Sequence, residues 1–186
     1  MKAISHGVLI FNVDAQLLLC HATGSPYWDI PKGGGTRTET GRQTAVRETF
    51  EECGLRVAPD DLLPLGCFAY RPGKDLQLYA VLTSGLDAQA CTCHSQFVDR
   101  FGRQRPEMDA YRWTGFDEIA PWCAKSLVAV LTRGLSLKAV LGQLRTLERR
   151  HRDIDPAQDP QGAVGQESKA RPAPRAADSF RLGDVR

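Results

Sequence analysis

The sequence predicts a mixed α/β domain, on three observations. Runs rich in β-branched and apolar residues occupy 3–13 and 16–21, separated by a turn-like Asp14-Ala15. A stretch opening at Thr40 or Gly41 and ending near Cys53 repeats apolar side chains at helical spacing. Strand-like runs then return at 64–70 and 75–83, so the sheet resumes after the helix.

The first two runs read as paired strands, and a short third is expected around Tyr27-Trp28-Asp29-Ile30 after the loop 22–26. Pro31-Lys32-Gly33-Gly34-Gly35 is expected to be irregular, because glycine loses the most backbone entropy on ordering. Such a loop lets backbone come close to a ligand. In the helix, Ala45, Val46, Thr49, Phe50 and Cys53 form the apolar series, and Gly54 supplies a stop at the C′ position. Arg71-Pro72-Gly73-Lys74 turns between the later strands. Residues 84–106 have no clear pattern. Tyr111-Arg112-Trp113 reads as one more short strand, 121–134 as a helix with an apolar stripe, and 136–151 as a more polar helix. From about Asp153 large apolar side chains nearly vanish, so 153–186 is expected to be a flexible polar tail. The expected organisation is a domain over 1–135, a helical extension over 136–152, and that tail.

A chain of 186 residues suits one domain with an appendage. Its 42% hydrophobic and 25% charged residues are ordinary for a soluble protein. A net charge of +2 decides nothing about polyanionic partners. No stretch approaches the roughly 18 apolar residues that span a bilayer, so no membrane partner is expected. Met1 to Gly7 lacks the apolar run and cleavage site of a signal peptide. A cytoplasmic location is therefore expected, with Cys20, Cys53, Cys67, Cys91, Cys93 and Cys123 as reduced, mostly buried thiols. Cys91-Thr92-Cys93-His94 lacks a second ligand pair at zinc spacing.

Glu48, Glu51 and Glu52 stand at i, i+3 and i+4, on one helix face. Three carboxylates so placed repel and need a compensating cation. Arg47 is one candidate. A hard divalent cation, Mg²⁺ or Mn²⁺, suits oxygen-only ligands better. Taken alone, the pattern is better explained by a solvated acidic face, which is common. The preceding glycine-rich loop with Lys32 changes the balance, because backbone groups and a lysine both hold phosphate oxygens. Carboxylate-bound metal beside such a loop fits phosphoryl chemistry.

The spacing is more specific still. Gly33 is followed after five residues by Glu39, and after seven more by Arg47-Glu48-Thr49-Phe50-Glu51-Glu52-Cys53-Gly54-Leu55. This resembles the Nudix box, Gly-x5-Glu-x7-Arg-Glu-U-x-Glu-Glu-x-Gly-U, with U aliphatic. All the fixed residue types match; Thr49 departs from the first U position, where it can still turn its methyl inward and bond an earlier carbonyl. The resemblance implies the Nudix α/β/α sandwich, with a mixed sheet and a loop–helix–loop catalytic motif, over roughly 3–135.

Carried onto this sequence, the resemblance implies Mg²⁺ ligation by Glu48, Glu51 and Glu52, joined by a backbone carbonyl of Lys32 or Gly33. It implies hydrolysis of a diphosphate linkage by water activated at the metal. Arg47 and Glu39 are expected to orient the catalytic face through an Arg–carboxylate fork. Glu51 joins Glu48 among the catalytic carboxylates. Glu48 is the first candidate for general base, and Glu107, in the Glu107–Asp109 segment before the late strand, is the second.

Trp28-Asp29-Ile30-Pro31-Lys32-Gly33 is similar to the Trp-x-x-Pro-Lys-Gly stretch of dinucleoside polyphosphate and diphosphoinositol polyphosphate hydrolases. Lys32 and Trp28 are thus expected at the substrate, as is Tyr70, whose ring could stack a base or simply pack in the core. Arg71 is placed there too. Lys74, Arg100, Arg103 and Arg105 offer further phosphate contacts or plain solvated surface. A dinucleoside polyphosphate is the first-choice substrate; nucleoside triphosphates, nucleotide sugars and RNA 5′ ends are alternatives. A non-catalytic, nucleotide-sensing Nudix-fold regulator is the rival from another class, disfavoured because every box carboxylate is present. Homodimerisation is expected as an option. Nucleic acid is not expected as a partner, since Glu148, Asp153 and Asp155 dilute the cluster Arg145, Arg149, Arg150 and Arg152.

Overall fold

The computed structural model describes residues 2–154, with side chains through His151. The tail expected at 153–186 lies, beyond Ile154, outside the described residues. In chain order the elements begin with β1 (Ala3–Asn12), β2 (Gln16–Ala22), β3 (Trp28–Asp29), β4 (Lys32–Gly34) and α1 (Gly41–Cys53). They continue with β5 (Leu63–Arg71), β6 (Lys74–Thr83), β7 (Gln96–Val98), β8 (Gln104–Pro106) and β9 (Met108–Gly115). The chain then forms α2 (Lys125–Ala129), a π-helical turn over Val130–Gly134, and α3 (Leu137–Ile154).

Local chemistry sets the tight turns. Between β1 and β2 the Asn12 side-chain oxygen accepts from the backbone N–H groups of Asp14 (3.1 Å) and Gln16 (2.9 Å), which closes the turn. Pro72-Gly73 joins β5 to β6, with Gly73 left-handed at φ 75°.

β1 runs parallel to β6 along its whole length, from Ala3 opposite Lys74 to Asn12 opposite Thr83. All other pairs in this seven-stranded sheet are antiparallel, so the sheet is mixed. One feature positions the site. β1 and β2 pair beside their turn, at Phe11 and Leu17, and then part. β4 fills the gap along Ser5–Gly7 of β1, and β3 fills it along Cys20–His21 of β2. The segment from Trp28 to Gly34 therefore threads a fork in the sheet.

Alternation along β1 builds two cores. Leu9 and Phe11 face Leu17, Leu19, Leu76 and Leu78 on one side, covered by Leu127 and Leu131 and by Leu137, Val140, Leu141 and Leu144 of α3. Val8 and Ile10 face Leu18, Cys20 and Val81 on the other, covered by Ala45 and Cys53 of α1. Helices on both faces explain why the Val8–Phe11 run is continuously apolar. No single helix among the described residues is long and apolar enough to cross a membrane.

Three expectations need correction. Pro31–Gly35 is not wholly irregular, because Lys32–Gly34 pairs with Gly7–Ser5 as β4. The entropy cost of ordering glycine is outweighed by the fit of bare backbone under α1. The helix expected over 121–134 starts only at Lys125. Trp122 and Cys123 are held off helix geometry by β3: the Trp122 carbonyl accepts from Trp28 N–H at 2.8 Å, and Trp28 bridges to Cys123. All six cysteines are free thiols, but only Cys20, Cys53 and Cys123 are buried, and Cys67 is exposed. Cys67 lies on β5, at the edge of the sheet.

Candidate active site

Helix α1 carries the acidic cluster, and both of its ends are secured. Thr40 caps the N-terminus: its hydroxyl accepts from Gln43 N–H, and the Gln43 side chain accepts from Thr40 N–H at 2.8 Å. Gly54 ends the helix in the left-handed region at φ 75°. The last carbonyls, which no helix satisfies internally, are taken up by the sheet and by the segment 92–95. Tyr111 Oη donates to Glu52 O at 2.7 Å, and the N–H groups of His94 (2.6 Å) and Ser95 (3.1 Å) donate to Glu51 O.

The buried stripe of α1 is Thr44, Ala45, Glu48, Thr49, Glu52 and Cys53. Two carboxylates thus occupy positions that would otherwise be apolar, which excludes the solvated acidic face. Thr49 fits its aliphatic position by donating to Ala45 O at 2.7 Å with no exposed surface. The Glu48 carboxylate rests on Gly33, where a Cβ would stand about 2.1 Å from its atoms. Glu52 Oε2 accepts from Lys32 N–H at 2.8 Å.

Arg47 organises the rest. Its Nε and Nη2 form a fork on Glu39 at 2.7 and 3.1 Å, and Nη2 also donates to Gly34 O at 2.9 Å. Its Nη1 donates to both Glu48 and Glu51 at 2.8 Å. Glu39 also accepts from Thr36 N–H, which fastens the chain between β4 and α1. These bonds hold the Glu39 carboxyl down to about 2, and they raise the Arg47 guanidinium above its already high value.

Burial acts in the opposite direction on the inner carboxylates. Glu52 is 4% exposed, and desolvation pushes it up to about 8, with only Lys32 opposing. Desolvation raises Glu48 as well, against the pull of Arg47. Three carboxylates thus share one guanidinium, and Glu52 stands beside them without a part in it. The nearest other cation, Lys32, is matched by Asp29 at 2.7 Å. Burial lowers the Lys32 pKa, but Asp29, Tyr70 and Glu52 together more than offset it and the ammonium stays charged. The Lys32–Asp29 ion pair was not foreseen, although their separation of three residues was there to be read.

The other expected residues are distributed around this centre. Glu107 stands between β8 and β9, accepts from Ser95 Oγ at 3.2 Å, and adds to the negative field on Glu48. Asp109 is instead engaged by His21 Nδ1. Trp28 is half-buried beside His21, with ring centroids 5.2 Å apart, and makes an edge contact with Trp122. Tyr70 is corrected as a base-stacking residue: it is 6% exposed, Arg71 lies 4.7 Å over its ring, and Arg71 donates to its hydroxyl at 2.9 Å. Tyr70 packs in the core, and its phenol acts on Lys32. Arg71 stays on the exposed side of that stack. Arg112, read only as part of a strand, lies 4.0 Å over the Trp122 ring and has a buried Nε with no partner among the described residues.

The comparisons with known proteins agree with this geometry. The NUDIX domain family matches residues 1–133. An uncharacterised 17.7 kDa protein of enterobacteria phage T4 is 36% identical over 122 residues, spanning 60% of this chain and 81% of that protein. An RNA pyrophosphohydrolase of Pseudoalteromonas atlantica is 31% identical over 118 residues, spanning 59% of this chain and 68% of the other. A C. elegans Ap4A hydrolase structure superposes with a TM-score of 0.54 at 20% identity, covering 75% of this chain and 98% of that one. That last likeness is one of fold. The chain belongs to the Nudix hydrolase family and is a Nudix pyrophosphohydrolase.

Nudix hydrolases typically depend on a divalent metal. Among the described residues no group of three or more His, Cys, Asp or Glu side chains is gathered in a metal-holding arrangement. The reason is visible: Arg47 Nη1 stands where Glu48 and Glu51 meet, and Glu52 faces Lys32 N–H. The donor set nevertheless fits a hard dication. All donors are carboxylate oxygens, two are buried, and their charge exceeds what Arg47 supplies. Gly33, lacking a side chain, lets the Glu48 carboxylate reach the strand backbone.

Proposed function

We propose that this enzyme hydrolyses a diphosphate linkage in a nucleoside 5′-polyphosphate, with Mg²⁺ held by Glu48, Glu51 and Glu52. The observation that carries this proposal is the buried pair Glu48 and Glu52, packed against the Lys32–Gly33 backbone. A metal held by these residues would polarise a phosphoryl oxygen and favour ionisation of the attacking water.

The chain's own residues do the rest. Lys32, held charged by Asp29, meets the phosphate oxygens. Glu48, buried at the centre of the carboxylate group and held by Arg47, is the first candidate to accept the proton of the attacking water. Glu107 is the second candidate for that proton, because it faces Glu48. As the oxygen of water bonds to one phosphorus, the bridging P–O bond breaks and a phosphate-containing group leaves. Arg47 and Glu39 position Glu48 and Glu51 without touching the substrate. Gly33 and Lys32 supply backbone, and Trp28 borders the Lys32 strand.

Two substrate classes share this chemistry. Relatives about 30% identical are named RNA pyrophosphohydrolases, which supports a 5′-polyphosphorylated RNA end. The Trp28-x-x-Pro31-Lys32-Gly33 stretch supports a dinucleoside polyphosphate. A cytoplasmic setting, where thiols stay reduced, accords with six free cysteines.

The test is phosphate and pyrophosphate release from a panel of nucleoside triphosphate, dinucleoside tetraphosphate and triphosphorylated RNA, with and without Mg²⁺. We expect Mg²⁺-dependent release that falls at least about 100-fold in Glu52→Gln, in line with the loss of a group acting on the transition state. Undiminished turnover in that variant would remove the assigned centre.

A further inference from the structure

β7 and β8 form a hairpin of their own, outside the main sheet, with Phe97 opposite Arg105. An isolated two-stranded hairpin is marginal in water and gains nothing from exposing apolar side chains. This one nevertheless exposes 64% of Val98, 64% of Phe101 and 37% of Phe97. Its tip is tightly built. Asp99 accepts from the N–H groups of Phe101 (2.8 Å) and Arg103 (2.9 Å) and pairs with Arg103 Nε at 3.4 Å. Arg100 and Arg103 both lie over the Phe101 ring, at 4.8 and 5.1 Å.

Between this tip and the Thr23–Gly24 turn lies an open pocket of about 480 Å³, lined by Phe97, Phe101, Arg100 and Arg105. That volume is within the range of small-ligand sites. Thr23 on its wall has a buried hydroxyl oxygen without a hydrogen-bond partner among the described residues. Three arginines stand against one aspartate, whose oxygens are already engaged by the turn. The hairpin is also mounted on the reaction centre: Ser95 precedes β7, Glu107 follows β8, and the two side chains are hydrogen-bonded. Arg105 is two residues from Glu107, or roughly 7 Å along a strand.

Aromatic faces interleaved with guanidinium groups are the chemistry of single-stranded nucleic acid binding. We propose that this pocket holds the first nucleotides downstream of the 5′-polyphosphate of a single-stranded RNA substrate. The proposal rests on the diphosphate-hydrolase function above and selects among its substrates. Phe101 and Phe97 stack bases, Arg100, Arg103 and Arg105 follow the phosphates, and Thr23 offers its free hydroxyl to the sugar or base. The expectation that nucleic acid is not a partner rested on the acidic residues that dilute the arginines late in the chain. A local cluster on a hairpin decides otherwise.

The test uses the full chain, with Phe101→Ala and a combined Arg100→Ala/Arg103→Ala/Arg105→Ala variant, both checked for an unchanged melting temperature. Binding of a labelled, 5′-monophosphorylated single-stranded RNA decamer is read by anisotropy, so no turnover is needed. Kinetics are measured in parallel on triphosphorylated RNA and on nucleoside triphosphate. We expect RNA binding to weaken about tenfold in each variant. The salt dependence of binding should become shallower by about two in the triple variant. KM on RNA should rise without change in kcat, and KM on the mononucleotide should stay within about twofold. Equal losses on RNA and mononucleotide, or unchanged RNA binding, overturn the proposal. RNA binding that depends on the hairpin in a protein that cleaves no diphosphate would overturn the proposed reaction and leave the RNA site standing.

Discussion

Gly33 has to be glycine for a reason seen only from the helix above it. Its φ is unremarkable for a strand residue, but a Cβ would stand about 2.1 Å from the Glu48 carboxylate. Gly33→Ala must therefore displace Glu48, and with it the bond from Arg47. The expected result is a loss of kcat of at least about 100-fold with a well-folded protein, since near-attack geometry tolerates little displacement. Circular dichroism and steady-state kinetics on the same preparation check both halves. Glu52 makes a second residue-scale case. Its folded pKa is raised from 4.5 to about 8, so the folded state holds a proton that the unfolded chain gives up. The stability tied to that proton is complete below about 4.5 and is lost as pH rises through about 8. Glu48 shifts in the same direction. Metal-free protein should therefore melt lower at pH 8 than at pH 5, and Glu52→Gln should flatten most of that slope. Mg²⁺ should raise the melting temperature more at pH 8 than at pH 5. A variant as pH-sensitive as the wild type in thermal melts would falsify the assignment of this titration to Glu52.

At the scale of elements, α1 is the piece whose ends matter most. Its own face is poor in apolar side chains, because Glu48 and Glu52 occupy buried positions. It is held instead by its caps, by Tyr111 on Glu52 O, and by the backbone of 92–95 on Glu51 O. Thr40→Ala removes the hydroxyl of the capping box and should cost about 1 kcal/mol. Urea denaturation should show a lower midpoint with an unchanged slope. The box is two-sided, so Gln43→Ala should lose a comparable amount. The same bonds make the segment after Cys91 part of the support of α1, and they fix where the β7–β8 hairpin departs.

At the scale of the whole molecule, the sheet is covered on both faces, and one cover comes late in the chain. Leu137, Val140, Leu141 and Leu144 are buried in the same core as Leu9 and Phe11. Fully burying each such side chain contributes about 1.5–3 kcal/mol. A chain ended at Leu135 would expose that face, at a cost comparable to the 5–15 kcal/mol stability of an ordinary domain. We expect the 1–135 fragment to be insoluble or molten, with poor amide dispersion by NMR. Leu141→Ala in the full chain should cost about 2–5 kcal/mol. The family match to residue 133 thus ends before the last helix of this core.

What the sequence determined by itself was whatever depends on near neighbours in the chain. Helical periodicity and the Thr40 and Gly54 signals placed α1 to within a residue, and Pro72-Gly73 placed the β5–β6 turn. The spacing from Gly33 to Leu55 marked the carboxylates and Arg47, because residues on one helix and the loop before it carry a fixed geometry. Tertiary structure alone decided the rest. The fork between β1 and β2 turned a glycine-rich loop into β4. A backbone bond from Trp28 kept Trp122 and Cys123 out of α2. Tyr111 of β9 was brought onto the Glu52 carbonyl at the end of α1. These outcomes depend on contacts between segments tens of residues apart, and sequence periodicity carries no record of which surfaces meet.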